Sequence, residues 1–448
     1  MLFASGSAAF TMLERLVILY APFFYLPPAE TGLNNLISPA IYFGTITVLG
    51  SALLLGRIFD GVADPLIAAL SDNSRVLIGR RKLFLLVSGL PLALSTVLVF
   101  HPPYSGGESF SNGVWLGLMM CLFYIAFTAY VNPYLALLTE LGHSNASRID
   151  LSTKIAFFGL LGMVGISVLF PDLAGRLYEH GFELREAYRY CVIGFAAISV
   201  LLLYAATLSF KEKVNCNFRP AERTAMWQSL KQTFAVKSFR LFLAGEVFLQ
   251  FALNMITLGM VYYAVVIFRQ EQRFMTVMAA LTIGVALISF PAVNKAARRK
   301  GKKKVILFGV TVLALCSLLL FVLSWHMTGL LFYLGLAVFG LAGVPLAVLT
   351  ILINPTVADL AREDALRTGN PREAMFFGAR AVPLKLTIAL AGVTFALLLS
   401  AFGKDLANPL GVQLSLLAAA AAAGLGYLFF ARYPEQEVLK MLSLHEKE

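Results

Sequence analysis

The sequence predicts an all-α membrane protein with twelve transmembrane helices in two six-helix bundles and with both termini in the cytoplasm. Two observations predict this class. Only 14% of the 448 residues are charged and 59% are hydrophobic, whereas soluble domains carry about 25% charged residues. Apolar segments of about 18 residues or more, the length that crosses ~30 Å of hydrocarbon, also recur along the whole chain.

Twelve apolar segments satisfy this length criterion. They are residues 10–27, 36–70, 83–100, 114–138, 155–173, 191–210, 241–267, 275–293, 305–325, 330–358, 375–402 and 410–430. The longest hydrophilic stretch falls near the middle of the chain. We therefore predict an N-terminal bundle (1–210), a cytoplasmic middle loop (211–240), a C-terminal bundle (241–432) and a cytoplasmic tail (433–448).

The basic residues predict the orientation of these spans. Most of the 36 Lys and Arg residues lie in the tail and in the loops that follow even-numbered spans, and positive loops stay on the cytoplasmic side. The net charge of +11 is thus explained by topology and by attraction to anionic lipid headgroups, and we expect no nucleic acid partner. The four cysteines are scattered without the spacing of a disulfide framework or a metal site.

The second predicted span contains two carboxylates, Asp60 and Asp64, four residues apart. At helical spacing they share one face, about 5–6 Å apart at Cβ, and each costs roughly 2.5–3.5 kcal/mol at the bilayer centre. A bound cation or a shared proton would neutralise the pair and make it a cation-coupling site. Arg57, one turn away, would instead make it a structural ion pair, and both interpretations stay open.

Other spans carry polar groups suited to a substrate. In span 4, Tyr124, Asn132 and Tyr134 combine hydrogen-bonding groups with aromatic faces. In span 7, Glu246, Gln250 and Asn254 follow each other at intervals of four and form one polar stripe, which we expect to face a cavity.

Charged residues also lie in the first and eleventh spans. In span 11, Lys385 lies in apolar surroundings and needs an anion, for which Asp60, Asp64 or a substrate anion are candidates. Glu14 and Arg15 are expected to lie near the end of span 1 and to reach the membrane interface.

Two loops at matching places in the halves resemble each other. The loop after span 2 ends in Gly79-Arg80-Arg81-Lys82, and the loop after span 8 ends in Gly301-Lys302-Lys303-Lys304. Both resemble the signature loop of the major facilitator superfamily, and parallel halves are typical of secondary transporters. Five charged residues are predicted to form ion pairs that gate the protein: Arg57, Asp72, Arg80, Arg81 and Arg380.

The segment Gly56-Arg57-Ile58-Phe59-Asp60-Gly61-Val62-Ala63-Asp64-Pro65 is similar to the span 2 signature of the glycoside–pentoside–hexuronide:cation symporters, the melibiose permease branch of that superfamily. Residues 132–137 (Asn-Pro-Tyr-Leu-Ala-Leu), Val357-Ala358-Asp359 and Lys385 resemble further parts of the family pattern. The resemblance implies a twelve-helix symporter with alternating access. It further implies that Asp60 and Asp64 bind the coupling ion with Thr128 as a companion oxygen ligand, and that no other cofactor is needed.

Several positions depart from this family pattern. Ala63 replaces an Asn that assists sodium binding in melibiose permease, and because hard cations need several oxygen ligands, this favours H+ over Na+ at Asp60 and Asp64. The family's sugar-binding aspartates of spans 1 and 4 have no clear equivalents, and its span 5 arginine is Lys154. A cationic site of Lys154 and Lys385 would also suit an anionic or zwitterionic amphiphile, as in the related lysophosphatidylcholine symporters.

The leading prediction is a cation-coupled symporter that moves a sugar or glycoside across the bacterial inner membrane. The alternatives are a transporter of lysophospholipid or another amphiphilic anion, a proton-driven exporter, and a non-transporting receptor or scaffold. An enzyme is not predicted, because the sequence has no phosphate-binding Gly-rich loop and no HExxH motif. We expect a monomer whose partners are a small-molecule substrate and membrane lipid. The predicted substrate-binding residues are Tyr124, Asn132, Tyr134, Lys154, Gln250, Asn254 and Lys385.

Overall fold

The computed structural model describes residues 1–42, 46–74, 78–141, 145–210, 226–368 and 373–445, and nearly all of them are helical. The N-terminal helices are α1 (Leu2–Tyr25), α2 (Val48–Asn73), α3 (Arg80–Val99), α4 (Phe110–Leu141), α5 (Asn145–Val164), α6 (Phe170–Glu179) and α7 (Leu184–Leu208). A π-helical stretch, Gly165–Leu169, joins α5 to α6. A 3-10 turn, Ala29–Thr31, follows α1, and two short antiparallel strands, β1 (Ile41–Tyr42) and β2 (Ile46–Thr47), precede α2.

The remaining helices continue this pattern to the end of the described chain. They are α8 (Met226–Ala235), α9 (Lys237–Tyr262), α10 (Phe274–Lys300), α11 (Lys302–Leu323), α12 (Leu330–Leu341), α13 (Gly343–Thr368), α14 (Glu373–Phe402), α15 (Leu410–Arg432) and α16 (Glu435–His445). A second π-helical stretch, Tyr263–Ile267, extends α9.

Eleven stretches of the described chain are long and apolar enough to cross a membrane. They are α1, α3, α4, α5 with α6, α7, α9, α10, α11, α12 with α13, α14 and α15. The predicted second span is α2, and it differs from these because Arg57, Asp60 and Asp64 lie within its 26 residues.

The predicted boundary of the second span was wrong at its start. Ile41–Tyr42 and Ile46–Thr47 are strands, and the Thr47 hydroxyl caps α2 by accepting a hydrogen bond from the Gly50 amide at 3.0 Å. Such a cap satisfies one of the free amide groups at a helix start. A hydropathy pattern cannot detect this boundary, because the residues on both sides are apolar.

The first predicted span also starts in a different place, since α1 begins at Leu2 and not at residue 10. Ser5 and Ser7 are compatible with this apolar helix because each hydroxyl donates to a backbone carbonyl, that of Leu2 at 2.7 Å and that of Ile155 at 2.7 Å. The helix therefore carries no unsatisfied hydroxyl at either position.

Two other predicted segments are divided differently in the structure. The predicted tenth span comprises α12 and α13, which are separated at Ala342. Gly343 begins α13 against α10, where a Cβ atom would lie 2.8 Å from the Ala286 amide nitrogen. Within the predicted middle loop, α8 and the first residues of α9 are helical, and residues 211–225 lie outside the described chain.

The chain forms two compact units. The first takes in the described residues of Met1–Pro220, Thr257–Ala279 and Gly392–Gly411, and the second those of Ala221–Ile256, Ala280–Ala391 and Val412–Glu448. Two segments of the predicted C-terminal bundle thus belong to the first unit.

Polar contacts at the end of α1 explain why these two segments join the first unit. The Tyr262 hydroxyl lies 2.8 Å from the Leu26 carbonyl oxygen, the Lys404 ammonium donates to the Pro27 carbonyl, and the Ala29 amide donates to Asp405 Oδ1 at 2.6 Å. Hydrogen bonds therefore hold the chain after α1 against both segments.

Small residues let α1 pack closely on α5 in the first unit. A Cβ atom on Gly162 would lie 2.9 Å from the Ala8 Cα atom, closer than real Cβ contacts come. Close packing of helices at small residues is the usual means of helix association in lipid.

The Gly162→Ala variant is expected to be less stable than the wild type by about 1–3 kcal/mol, because the added methyl group would push two helix backbones apart. The matched control is Gly194→Ala in α7, where a Cβ atom has no neighbour within 4 Å. Thermal unfolding of both variants in detergent checks this, and equal melting temperatures would contradict it.

Candidate functional site

The two predicted carboxylates of α2 face α4, and each meets one polar side chain of that helix. Asp60 is 2% exposed, and its Oδ1 accepts a hydrogen bond from Thr128 Oγ1 at 2.7 Å. Asp64 is half-buried, and its Oδ1 accepts a hydrogen bond from Asn132 Nδ2 at 2.9 Å. Both acidic residues and both partners are four residues apart, so α2 and α4 run in the same direction here and present two hydrogen bonds one turn apart.

Arg57 lies at the centre of these charges and is 8% exposed. Its Nη1 atom lies 3.4 Å from Asp60 Oδ2, and its Nη2 atom lies 3.9 Å from Glu14 Oε1 of α1. One guanidinium thus shares its charge among neighbouring carboxylates. We call Glu14, Arg57, Asp60 and Asp64 the carboxylate cluster.

Tyr124 of α4 closes one side of the carboxylate cluster. The Arg57 guanidinium carbon lies 4.4 Å from the centre of the Tyr124 ring, within the range of a cation–π contact. Gly56 makes this position possible, because a Cβ atom there would lie 2.7 Å from Tyr124 Cδ2. The absence of a side chain at residue 56 therefore lets the ring reach the guanidinium.

Glu14 is the functional candidate that the sequence placed elsewhere. It was expected near the end of span 1, but α1 begins at Leu2, so Glu14 lies near the middle of a 24-residue helix. Its side chain is 26% exposed and is turned toward Arg57. The apolar run between Leu2 and Phe10 was the signal that could have shown the longer helix.

Tyr134 has a structural role in the first unit. It is fully buried, its hydroxyl donates to the Phe3 carbonyl oxygen at 2.7 Å, and its ring stacks on that of Phe3 with 4.4 Å between centroids. Its ring and its hydroxyl are thus both engaged by α1, and its predicted contact with a substrate stays a prediction.

The other predicted site residues lie in separate places. Lys154 is half-buried in the middle of α5, while Arg80 and Arg81 begin α3. Asp72 lies near the end of α2, and its side chain lies outside the described part of the structure.

Three predicted substrate-binding residues belong to the second unit. Lys385 is half-buried in α14, and its predicted contact with Asp60 and Asp64 stays a prediction. Gln250 and Asn254 are neighbours on α9, where the Asn254 side-chain amide donates to the Gln250 carbonyl at 2.7 Å.

A second buried ion pair occurs within the second unit. Glu246 of α9 is fully buried and accepts hydrogen bonds from Arg380 of α14. Arg380 Nε lies 2.8 Å from Glu246 Oε1 and 2.7 Å from Oε2, and Arg380 Nη2 lies 2.5 Å from Oε1. Arg380 Nη1 also donates to Asn354 Oδ1 of α13 at 2.8 Å. The sequence predicted that Arg380 forms an ion pair, and the structure shows that its partner is Glu246.

The basic loop of the second half is tied to its neighbours as well. The Lys302 ammonium lies 2.5 Å from Asp359 Oδ2 of α13. The Lys303 ammonium donates to the carbonyls of Ala431 and Tyr433 at 2.7 Å each, and the Lys303 amide donates to Glu435 at 2.8 Å. This loop therefore joins α11 to α13 and to the start of α16.

A family model described as MFS/sugar transport protein matches residues 2–431 of the chain. The chain belongs to this family. With eleven stretches able to cross a membrane, this member of the MFS/sugar transport protein family is an integral, multi-pass membrane protein.

Curated relatives are similar over parts of their length. One, named as a glycoside/cation symporter (YagG) of Escherichia coli strain K12, is 26% identical over 40% of this chain and 38% of its own. The glucuronide carrier protein homolog of the same organism is 25% identical over 69% of this chain and 66% of its own. The chain thus spans about two fifths of the first relative and about two thirds of the second.

A solved structure supports the fold. The crystal structure of the nucleoside transporter NupG superposes with a TM-score of 0.67, covering 97% of this chain and 98% of NupG, at 12% identity. This member of the MFS/sugar transport protein family therefore shares the transporter fold.

Thr128→Val is expected to destabilise the protein by about 1.5–3 kcal/mol, because it removes the hydroxyl that donates to the buried Asp60 carboxylate. Thr128→Ser keeps a hydroxyl and is the matched control. Thermal unfolding in detergent measures both, and a loss in Thr128→Val no larger than that in Thr128→Ser would contradict the prediction.

Arg380→Met is expected to cost about 3–5 kcal/mol, because it leaves the buried Glu246 carboxylate without its cation. The double variant Glu246→Leu with Arg380→Met removes both charges and is expected to recover most of that loss. A double-mutant cycle of unfolding free energies checks this. A double variant that is no more stable than Arg380→Met would contradict the prediction.

Proposed function

We propose that the protein is a cation-coupled secondary symporter that carries a small solute, a sugar or glycoside, across the bacterial inner membrane by alternating access. The observation that carries this proposal is the carboxylate cluster. Asp60, which is 2% exposed, and Asp64 are both held by side chains of α4 inside a predicted membrane span.

The charge of the cluster supports a cation site over a purely structural ion pair. Asp60 and Asp64 lie four residues apart on α2, and both side chains contact α4. Two neighbouring carboxylates repel each other when both are ionised, and charge is costly at membrane depth. A bound proton or cation relieves this repulsion, so the cluster is suited to binding and releasing one.

The ligand set favours a proton as the coupling ion. The candidate oxygen ligands are the Asp60 and Asp64 carboxylates and the Thr128 hydroxyl, and Ala63 adds no oxygen. Arg57 occupies one side of Asp60 at 3.4 Å, where it would compete with Na+ for the same carboxylate. A hard cation needs several oxygen ligands, whereas a proton needs only one carboxylate.

We propose that α2 also crosses the membrane, which brings the number of spans to twelve. Its 26 residues extend about 39 Å, which exceeds the ~30 Å of the hydrocarbon core. Arg57, Asp60 and Asp64 each have a polar partner within the first unit, which lowers the cost of burial. The concentration of Lys and Arg in alternate loops and in the tail supports cytoplasmic termini.

In this proposal, ion binding is coupled to substrate binding through the charge of Asp60. When Asp60 is protonated, its attraction to Arg57 weakens, and Arg57 is left to pair with Glu14 of α1. The ion therefore changes the contacts among α1, α2 and α4. Substrate binding must favour the ion by the same factor as the ion favours substrate, because coupling is reciprocal.

A sugar or glycoside is the proposed substrate because the relatives are named as a glycoside/cation symporter and as a glucuronide carrier homolog. The half-buried cations Lys154 and Lys385 are proposed substrate contacts, together with Asn132, Gln250 and Asn254. Lysophospholipid is the other substrate class to be tested, because cationic side chains also suit a phosphate-bearing headgroup.

The experiment is uptake into proteoliposomes under separate H+ and Na+ gradients, with a panel of sugars, glycosides and lysophospholipids. An inward H+ gradient is expected to drive sugar uptake, and Asp60→Asn and Asp64→Asn are each expected to lower it by about 5–150-fold, the usual range of coupling factors. The matched control is Asp172→Asn, because this exposed residue forms a surface pair with Arg176 that is worth little.

Unchanged uptake in the Asp60→Asn variant would refute the symporter proposal. Uptake of lysophospholipid alone would keep the coupling site and replace the substrate. Binding of a sugar without any transport would favour the receptor or scaffold.

A further inference from the structure

A large groove runs along α2 and α4 in the first unit, with a volume of about 1080 Å³. This volume slightly exceeds the range of ordinary small-ligand pockets, ~300–1,000 Å³. Its walls are apolar over most of their length, and Leu55, Leu118 and Ile125 contribute to them with 44%, 58% and 37% of their side chains exposed.

The position of the groove determines what can fill it. It lies along a helix that crosses the membrane, so its open side meets lipid chains. The groove extends along α4 from Phe110 to Ile125, about 22 Å at the helical rise, which is less than the ~30 Å of the hydrocarbon core. An acyl chain that lies along the groove therefore remains within the membrane.

One end of the groove is polar. Ser38, Glu108 and Ser109 lie there, next to the start of α4 and before the start of α2. Glu108 is the one charged residue among the described residues that line the groove, and it accepts a hydrogen bond from Asn35 Nδ2 at 3.3 Å. Arg185 approaches the same loops but donates to the carbonyls of Asn34 and Ser105 and does not line the groove.

We propose that this groove binds one phosphatidylethanolamine molecule of the surrounding membrane. The ammonium group pairs with the Glu108 carboxylate, the Ser38 and Ser109 hydroxyls donate to the phosphate, and an acyl chain lies along the apolar walls. A lipid with a purely anionic headgroup, such as phosphatidylglycerol, would place its charge against Glu108 and is disfavoured. The site is independent of the transported substrate.

The test compares thermal stabilisation of delipidated protein in detergent by phosphatidylethanolamine and by phosphatidylglycerol with the same acyl chains. Phosphatidylethanolamine is expected to raise the melting temperature by at least about 2 °C more than phosphatidylglycerol. Glu108→Gln is expected to abolish the difference between the two lipids. Equal shifts in the wild type would mean unselective surface lipid only and would overturn the proposal.

Filling the groove provides a second variant. A Cβ atom on Gly117 would lie 3.9 Å from Leu55 Cδ1, an ordinary van der Waals distance. The side chain of Gly117→Leu therefore projects into the groove without a backbone clash. This variant is expected to lose the stabilisation by phosphatidylethanolamine. Gly194→Leu, at an exposed glycine of α7 with no neighbour within 4 Å, is the matched control and is expected to keep it. A shift that survives Gly117→Leu would overturn the proposal.

A measurement on the wild type avoids any dependence on a folded variant. Cys121 lines the groove and is partly exposed, so its labelling by N-ethylmaleimide can be followed by peptide mass spectrometry. Phosphatidylethanolamine is expected to slow this labelling several-fold, and phosphatidylglycerol is expected to have little effect. Equal rates with the two lipids would refute selective binding.

Discussion

The structure depends on the cost of placing charge in hydrocarbon. That cost explains why charged side chains of the spans occur in groups: Arg57 with Glu14 and Asp60, and Arg380 with Glu246. The first group joins the consecutive helices α1 and α2, and the second joins α9 to α14, which are distant in sequence. The requirement for compensation therefore acts on packing as well as on function, because a helix that carries a charge is restricted to positions where it meets an opposite one.

Much of the fold follows from hydropathy. Long apolar segments predicted the eleven stretches that can cross a membrane, because length and apolarity alone decide which helices suit lipid. The errors occurred where backbone hydrogen bonding decides the outcome. Thr47 ends an extended segment and starts α2, and α12 and α13 separate at Ala342 within one apolar run. Neither event changes the mean hydropathy of its surroundings.

The sequence predicted those residues of the candidate site whose burial in the membrane costs the most free energy. Asp60 and Asp64 were recognised because carboxylates stand out in an apolar segment, and spacing alone placed Thr128 and Asn132 one turn apart. Glu14 was missed because its role depends on where α1 begins. The sequence also gave no means of pairing Glu246 with Arg380, since the two lie 134 residues apart and only the packing of α9 on α14 brings them together.

The charges of α2 also bear on how the protein is made. Considered alone, this helix is a poor candidate for insertion, because Arg57, Asp60 and Asp64 each cost about 2.5–3.5 kcal/mol on insertion scales. Glu14 precedes it in the chain, but Thr128 and Asn132 are synthesised only 68 residues after their partners. The hydrogen bonds to Asp60 and Asp64 can therefore form only after α4 has been synthesised, so the polar contacts of α2 are completed later than the helix itself.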